Sequence, residues 1–180
     1  MIIEFSKYQI RDFKNEDVEA LLKYANNLAV SKFLRNSFPY PYTKYDAEKW
    51  IDFVLKNQNS LSFAIADEKE LIGSISAIPY DDVHQFTAEV GFWIGEPFWG
   101  KGIVSEALKC FCNYLFSNYN FNRLTANVFE GNSASKRVLE KTGFVLEGTI
   151  RKSVFKQNKF FDQYIFGLLK ENFIYDRKSS

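Results

Sequence analysis

The first third of the chain carries apolar residues at the spacing of amphipathic helices. One set, which predicts a helix after a short strand at about 8–13, consists of Val18, Leu21, Leu22, Ala25 and Leu28. Another set, in a helix that Thr43 would cap, consists of Ala47, Trp50, Ile51, Val54 and Leu55. A shorter helical segment is expected at about 31–36, because Pro39 and Pro41 favour extended backbone just after it.

From Leu61 onwards the apolar period changes from 3.6 to 2, which is typical of strands. Three antiparallel strands are predicted at 61–65, 71–78 and 86–94, followed by a strong helix. The buried side of that helix would consist of Val104, Ala107, Leu108, Phe111 and Leu115. A strand at 123–129, a helix at 133–141 and strands at 144–151 and 160–169 complete a mixed fold of the α+β class.

Length and composition narrow the classes of protein. A chain of 180 residues suits a single domain, with its core at about 8–170. Its 19 Phe, 10 Tyr and 3 Trp indicate an interior or a cleft lined with rings. A net charge of +1 argues against binding to nucleic acid or to an anionic membrane. No apolar run of about 18 residues predicts a membrane span, so we expect a cytoplasmic protein.

The cysteine and histidine content argues against a metal centre. Cys110 and Cys112 lie two positions apart on a predicted helix, where side chains point to different faces, so they are expected to pack as small apolar residues. His84 is the only histidine, and a zinc site is therefore not expected. It falls in a predicted turn, where a solvated side chain is the expectation.

Residues 89–107 predict a strand, a glycine loop and a helix in succession. Gly100 and Gly102 remove side chains where backbone amides could approach an anion, and the helix would begin with unpaired N–H groups. Such a loop suits a pyrophosphate, although an ordinary strand-to-helix turn remains an alternative. Lys101 could add a charge or project into solvent.

Two common nucleotide motifs fit this loop incompletely. Gly95, Gly100 and Lys101 have the spacing of a P-loop, but Gly102 stands where the magnesium-binding Ser or Thr is needed. The dinucleotide fingerprint lacks its third glycine, because Ser105 stands there.

A second motif lies at 132–144, and the two motifs together indicate a family more specifically than the glycine loop does by itself. Asn132 or Ser133 can cap its helix, and Gly143 can end it in a left-handed conformation. The two motifs in this order resemble the GNAT acetyltransferase superfamily, in particular ribosomal-protein alanine N-acetyltransferases of the RimJ/RimL type. The resemblance covers roughly residues 8–170.

The resemblance implies a central, mostly antiparallel twisted sheet of about seven strands flanked by helices, with a splayed strand pair that forms the acetyl-CoA cleft. Acetyl-CoA would be the cosubstrate, with no metal. The pyrophosphate would be bound by amides of Trp99, Gly100, Lys101, Gly102, Ile103 and Val104. The pantetheine arm would pair with the strand edge at Phe92, Trp93 and Ile94.

The same resemblance implies groups around the thioester. A backbone N–H near Trp93 or Ile94 would polarise the carbonyl. Asn132 and Ser135 would contact the pantetheine or lie beside the sulfur. The chain departs from the family at Pro97, where an anchoring Gln or Arg is common, and at Leu139, where a tyrosine often acts as general acid. A carboxylate used as a base in RimL-type proteins has no counterpart in 152–155.

An amine attacks a thioester only as the free base, and a Lys-like amine with a pKa of about 10.4 is mostly protonated at neutral pH. A proton acceptor is therefore useful. Glu89 is the candidate base, acting through water, and Ser135 is the candidate donor to the leaving thiolate. Asp162 is expected to pair with a basic group or to orient a loop.

We therefore expect acetyl transfer to a primary amine by direct attack in a ternary complex. The acceptor could be a protein N-terminus, such as that of a ribosomal protein, or a small-molecule amine. The alternative is a catalytically silent module that only binds acyl-CoA. The sequence leaves open whether the protein is a monomer or a homodimer.

Overall fold

The computed structural model describes residues 1–57 and 59–175. The helices are α1 (Val18–Ala25), α2 (Leu28–Ser31), α3 (Lys44–Lys56), α4 (Ile103–Asn118) and α5 (Ser133–Thr142). The strands are β1 (Ile2–Phe5), β2 (Tyr8–Arg11), β3 (Leu61–Ala66), β4 (Leu71–Pro79), β5 (Thr87–Ile94), β6 (Arg123–Phe129), β7 (Val145–Lys156) and β8 (Lys159–Leu169). Short 3-10 turns precede α1 and connect several of the other elements.

The eight strands form a sheet in the order β1-β2-β3-β4-β5-β6-β8-β7. The pairs β1–β2, β2–β3, β6–β8 and β7–β8 are antiparallel, whereas β5 and β6 are parallel. About seven strands were expected, and the additional one is β1. It pairs with β2 from Ile2 opposite Arg11 to Phe5 opposite Tyr8, as a short edge strand whose Ile2 is 70% exposed.

The chain forms two compact units. The first consists of 1–76 and 92–107, and the second of 77–91 and the described residues from 108 onwards. Strands β4 and β5 and helix α4 each have residues in both units. One N-acetyltransferase domain over residues 1–180 stays a prediction.

The first unit has a core between α1, α3 and the sheet. It consists of Phe13, Ala20, Leu21, Ala25, Tyr42, Ala47, Ile51, Val54, Ala64 and Leu71. The cap of α3 is confirmed, because the Thr43 side chain accepts a hydrogen bond from the Asp46 amide and Asp46 caps Thr43 in return.

Three details of the helical prediction are wrong. Leu28 does not continue α1: the chain turns at Asn26, and the Asn27 side chain caps α2 by accepting from the Ala29 amide at 2.8 Å. That turn leaves Leu28 49% exposed, and the short helix lies at Leu28–Ser31 instead of 31–36. Leu55 is 43% exposed, because it lies at the edge of the buried face of α3 although its neighbour Val54 belongs to the core.

The second unit contains β6, α5, β7 and β8 and most of α4. Leu108, Phe111 and Leu115 of α4 are fully buried, as the spacing predicted. Strand β6 has the predicted bounds, and its even-numbered residues Leu124, Ala126 and Val128 are buried while Arg123 and Asn127 are only partly covered. One face of β6 is therefore apolar and the other carries polar groups. Of the residues that the structure describes, none belongs to a helix long and apolar enough to cross a membrane.

Candidate active site

The glycine loop joins β5 to α4 in the first unit. A 3-10 turn at Glu96–Phe98 leads into Gly100 and Gly102, whose φ angles are +73° and +78°. Both lie in the left-handed region that favours glycine. A Cβ built on either one would meet no atom within 4 Å, so the space beside the loop is open. Helix α4 starts directly after Gly102 and presents its first amides there.

Two side chains of the loop fold back onto the first unit. The Trp99 indole is 45% exposed, and its Nε1 donates to the Ile94 carbonyl at 2.9 Å. The Lys101 Nζ lies over the Phe98 ring, 5.5 Å from its centroid. Trp99 therefore stabilises the connection between the end of β5 and the loop, while Lys101 keeps its charge at the loop surface.

Helix α1 and the cap of α2 hold the start of the loop. The Tyr24 ring packs so closely on Gly95 that a Cβ there would lie 2.7 Å from Tyr24 Cδ1. The same ring meets Phe98 edge-on, with centroids 5.3 Å apart, and Asn27 Nδ2 donates to Glu96 Oε2 at 2.6 Å. These contacts support the loop on both sides of Pro97.

At the end of β5, one backbone N–H points away from β4. Gly95 donates its N–H to the Ile72 carbonyl of β4 at 2.8 Å. Because the peptide between Ile94 and Gly95 is trans, the Ile94 carbonyl points to the opposite side, where Trp99 donates to it. In a residue with extended backbone the N–H and the C=O point to the same side of the strand. The Ile94 N–H therefore also points away from β4. The Trp93 carbonyl, by contrast, lies 2.4 Å from where a Cβ of Gly73 on β4 would be.

The pairing between β5 and β6 is short. Three pairs are in register, from Thr87 opposite Arg123 to Glu89 opposite Thr125. Strand β5 continues to Ile94, and β6 continues to Phe129 while pairing with β8 along its full length. Within the described residues no further β5–β6 pair is in register. Registered pairing of the two strands therefore ends at Glu89 and Thr125, and a splayed strand pair that forms an acetyl-CoA cleft stays a prediction.

The second motif is a capped helix in the second unit. The Asn132 side-chain oxygen accepts from the Ser135 amide at 3.1 Å, so Asn132 is the cap of α5. Gly143 ends the helix with a φ of +98°. Ser135 is partly buried, and Leu139 is 1% exposed. Contacts of Asn132 and Ser135 with a coenzyme stay predictions.

Glu89 lies beside a polar pocket that belongs wholly to the second unit. Its Oε2 accepts from the Tyr80 hydroxyl at 3.3 Å, and its register opposite Thr125 places both side chains on one face of the sheet. The pocket has a volume of about 410 Å³ and is lined by Tyr80, His84, Thr87, Arg123, Thr125, Asn127, Gln163 and Ile165. Sequence reasoning missed most of these residues. The alternation of polar and apolar residues along β6 was the signal that could have identified its polar face.

The structure places the other titratable candidates as well. His84 ends a 3-10 turn, as expected for a loop residue, and its exposed ring meets the Tyr80 ring edge-on at 6.4 Å. Asp162 has an orienting role, as expected: its Oδ1 accepts from the Lys152 amide at 2.8 Å, and its backbone exchanges hydrogen bonds with Glu130.

An ion pair borders the pocket. Arg123 Nη1 donates to Glu147 Oε1 at 2.7 Å, and Nη2 contacts the other carboxylate oxygen. The hydrogen bonds from Arg123 lower the pKa of Glu147, and Glu147 in turn raises the pKa of Arg123. The guanidinium charge is therefore largely compensated within the protein.

The two cysteines differ in exposure. Cys112 is fully buried, and burial raises the pKa of its thiol, whereas Cys110 is partly exposed with its Sγ 3.6 Å from the Tyr175 hydroxyl. Across residues 1–57 and 59–175, no three His, Cys, Asp or Glu side chains are grouped to hold a metal ion.

Comparison with known proteins decides the family. The model of the acetyltransferase (GNAT) domain matches residues 8–145, which is most of the chain. The chain belongs to the GNAT family. The GNAT fold and the resemblance to RimJ/RimL-type proteins are confirmed, and the protein is an acetyl-CoA-dependent acetyltransferase of this family.

Two relatives of this GNAT protein illustrate a match over nearly its full length. The uncharacterized N-acetyltransferase YnaD of Bacillus subtilis (strain 168) is 30% identical over 173 residues, which are 95% of this chain and 98% of YnaD. A GNAT-family acetyltransferase structure from Bacillus anthracis is 29% identical, with a TM-score of 0.82 over 95% of this chain and 99% of that one.

A structure of RimL, the ribosomal L7/L12 alpha-N-protein acetyltransferase, in complex with coenzyme A has a TM-score of 0.83. It covers 94% of this chain and 98% of RimL at 20% identity, so this likeness shows the shared fold.

Proposed function

We propose that this GNAT protein transfers an acetyl group from acetyl-CoA to a primary amine by direct attack in a ternary complex. The observation that supports this most is the short β5–β6 pairing: β5 continues past Glu89 to Ile94 and into a glycine loop without a registered partner on β6 in the described chain. A strand edge of this kind can pair with an extended ligand.

The glycine loop is the proposed pyrophosphate site. Amides of 99–104 would bind the diphosphate, because the loop has open space at Gly100 and Gly102 and leads into the positive end of α4. The coenzyme A bound in the RimL structure supports this choice of cosubstrate. The pantetheine arm would pair with Phe92, Trp93 and Ile94, with Asn132 and Ser135 as further contacts.

The reaction would run through the free amine. Its nitrogen attacks the thioester carbonyl, the N–C bond forms and the C–S bond breaks. We assign the polarising N–H to Ile94, since this amide points away from β4. Glu89 would accept the amine proton through water, and Ser135 would donate to the departing thiolate.

The acceptor would be a protein N-terminus, such as that of a ribosomal protein, or a small-molecule amine. The ribosomal substrate named for RimL supports the first choice. A cytoplasmic location, the absence of nucleic-acid and membrane partners, and a monomeric or homodimeric state stay predictions.

The coenzyme site is tested by Gly102→Val. A valine Cβ at this positive φ would project into the open space beside the loop, so we expect acetyl-CoA affinity to fall about tenfold or more, which is a loss of about 1.4 kcal/mol. Calorimetric titration with acetyl-CoA measures the change. Gly148→Val is the matched control, because Gly148 also has open space around it but lies in β7. Unchanged affinity in Gly102→Val would place the ligand elsewhere.

Glu89→Gln tests the proposed base. We expect kcat to fall by about 100-fold or more and the acid limb of the pH–rate profile to flatten. Release of coenzyme A thiol with a panel of amines gives the rate, and Glu4→Gln on the edge strand β1 is the control. A wild-type protein that binds acetyl-CoA and acetylates no amine would instead support the silent acyl-CoA-binding module.

A further inference from the structure

Tyr80 occupies a defined position between the pocket and Glu89. Its amide donates to the Thr87 carbonyl at 2.9 Å, which ties the end of β4 to the start of β5. Its hydroxyl donates to Glu89 Oε2 at 3.3 Å, and its ring packs edge-on against His84. The side chain is 37% exposed and lines the pocket. The phenol therefore connects the pocket wall to the carboxylate.

The other groups of the pocket are mostly neutral. Thr87 and Thr125 contribute hydroxyls, Asn127 and Gln163 contribute amides, and Ile165 is apolar. The Thr125 hydroxyl proton is used within the sheet, since it is donated to the Phe166 carbonyl at 2.9 Å. The amides are thus the most versatile hydrogen-bonding groups, because each has both donors and an acceptor.

The titratable groups that line the pocket with Tyr80 are His84 and Arg123, and Arg123 is paired with Glu147. Glu89 is the carboxylate bonded to Tyr80 at its side. A ligand with one cationic amine has a matching acceptor there. The residues that line the pocket include no carboxylate, and the nearby Glu147 is already paired with Arg123, so a polyamine finds no partner there for its further positive charges.

We propose that Tyr80 is a positioning residue that holds the Glu89 carboxylate at this pocket, and that the pocket selects acceptors whose single amine is attached to a neutral, hydrogen-bonding body. This inference rests on the proposed acetyl transfer. Asn127 and Gln163 bind the body of the acceptor, and Tyr80 orients the carboxylate toward its amine.

Tyr80→Phe tests the positioning role. The variant keeps the ring against His84 and removes only the hydroxyl, so the carboxylate loses the hydrogen bond that orients it. We expect kcat to fall about tenfold while KM for the amine stays unchanged, because the carboxylate is present but no longer held in position. The acetyl-CoA dissociation constant should stay unchanged. Tyr45→Phe, at an exposed position on α3, is the matched control.

His84→Asn is the companion variant, because His84 packs against the Tyr80 ring and lines the same pocket. It should lower kcat by less than Tyr80→Phe does, because the hydrogen bond to Glu89 comes from Tyr80. An unchanged kcat in Tyr80→Phe overturns the positioning role, and so does a loss in His84→Asn as large as that in Tyr80→Phe.

Acceptor selectivity is tested with three probes: a tetrapeptide amide, n-butylamine and spermidine. The wild-type protein should prefer the peptide. Asn127→Leu and Gln163→Leu should each lower kcat/KM for the peptide about tenfold and leave n-butylamine unaffected, because only the peptide uses the amides. The proposed selectivity would be overturned if kcat/KM fell equally for the peptide and for n-butylamine, or if it fell for neither. A preference of the wild-type protein for spermidine would overturn it as well.

The outcomes separate this inference from the proposed function. Turnover of amines with unchanged behaviour in the Tyr80, Asn127 and Gln163 variants would refute the pocket while acetyl transfer stands. Bound acetyl-CoA without turnover of any amine would refute acetyl transfer, and the inference with it.

Discussion

Two forked arginine–carboxylate pairs in the described part of the chain differ in burial. In the first unit, Arg11 donates to both oxygens of Asp17 at 2.7 Å, and the two side chains are 9% and 6% exposed. In the second unit, Arg123 and Glu147 form the same fork, but their side chains are 29% and 38% exposed beside the pocket.

The difference shows how one kind of contact can serve two purposes. Asp17 also accepts from the Lys14 amide at 2.8 Å, so the buried pair joins the end of β2 to the start of α1 and has no opening to a ligand. The exposed pair responds to solvent and pH, and it sets the charge of the pocket wall. We infer that burial, more than the identity of the pair, separates a structural contact from one that can affect function.

The largest expected effect comes from breaking the buried pair. Asp17→Asn leaves the Arg11 guanidinium buried without its counter-charge, which is expected to lower the free energy of unfolding by about 3–5 kcal/mol. Urea unfolding followed by circular dichroism measures the loss. A change below about 1 kcal/mol would contradict the structural role assigned to this pair.

The double variant Arg11→Met with Asp17→Leu sharpens this test. Apolar side chains of similar size remove both charges, so most of the lost stability should return. A double variant as unstable as Asp17→Asn would contradict the assignment of that loss to an unpaired buried charge.

Glu147→Gln is expected to lower the free energy of unfolding by only about 0.2–1 kcal/mol near neutral pH, because solvent screens the pair. Arg123 holds the pKa of Glu147 below its ordinary value, so the folded state binds this proton less readily than the unfolded chain. The stabilisation is therefore present above the ordinary carboxyl pKa and is lost as pH falls through the lowered value. The unfolding free energies of the wild-type protein and of Glu147→Gln should therefore converge in acid. If a difference persists there, the stabilisation does not come from the ion pair.

The smallest effect is expected at a strongly exposed pair, between Lys44 and Glu19, whose side chains are 58% and 71% exposed. Glu19→Gln should leave the unfolding midpoint unchanged within error, because such pairs are strongly screened. A loss comparable to that of Asp17→Asn would break the proposed relation between burial and stabilisation.

Local sequence patterns predicted a large part of the fold. The bounds of β6 follow from its alternation, and Asn132 and Gly143 mark the ends of α5 through the chemistry of caps. Strand β1 was missed because a short edge strand with an exposed Ile2 has no clear buried face. Leu28 was assigned to α1 because the apolar period continued through the turn at Asn26.

The candidate site was predictable where it depends on neighbours in sequence. The loop with Gly100 and Gly102 could be read from the chain because positive φ values require particular residues. The hydrogen bond between Tyr80 and Glu89 depends on how β4 and β5 are connected, and the Arg123–Glu147 pair joins residues 24 positions apart. Such contacts are set by strand pairing, which single-residue preferences do not determine.

The unequal exposure of the two cysteines makes the natural chain ready for site-specific labelling. Cys112 is enclosed in the core, so a maleimide dye added to the folded protein should attach at Cys110 alone. Cys110 lies on α4, the helix that begins at the glycine loop. A fluorophore there could report the arrival of a ligand at that loop without any engineered residue.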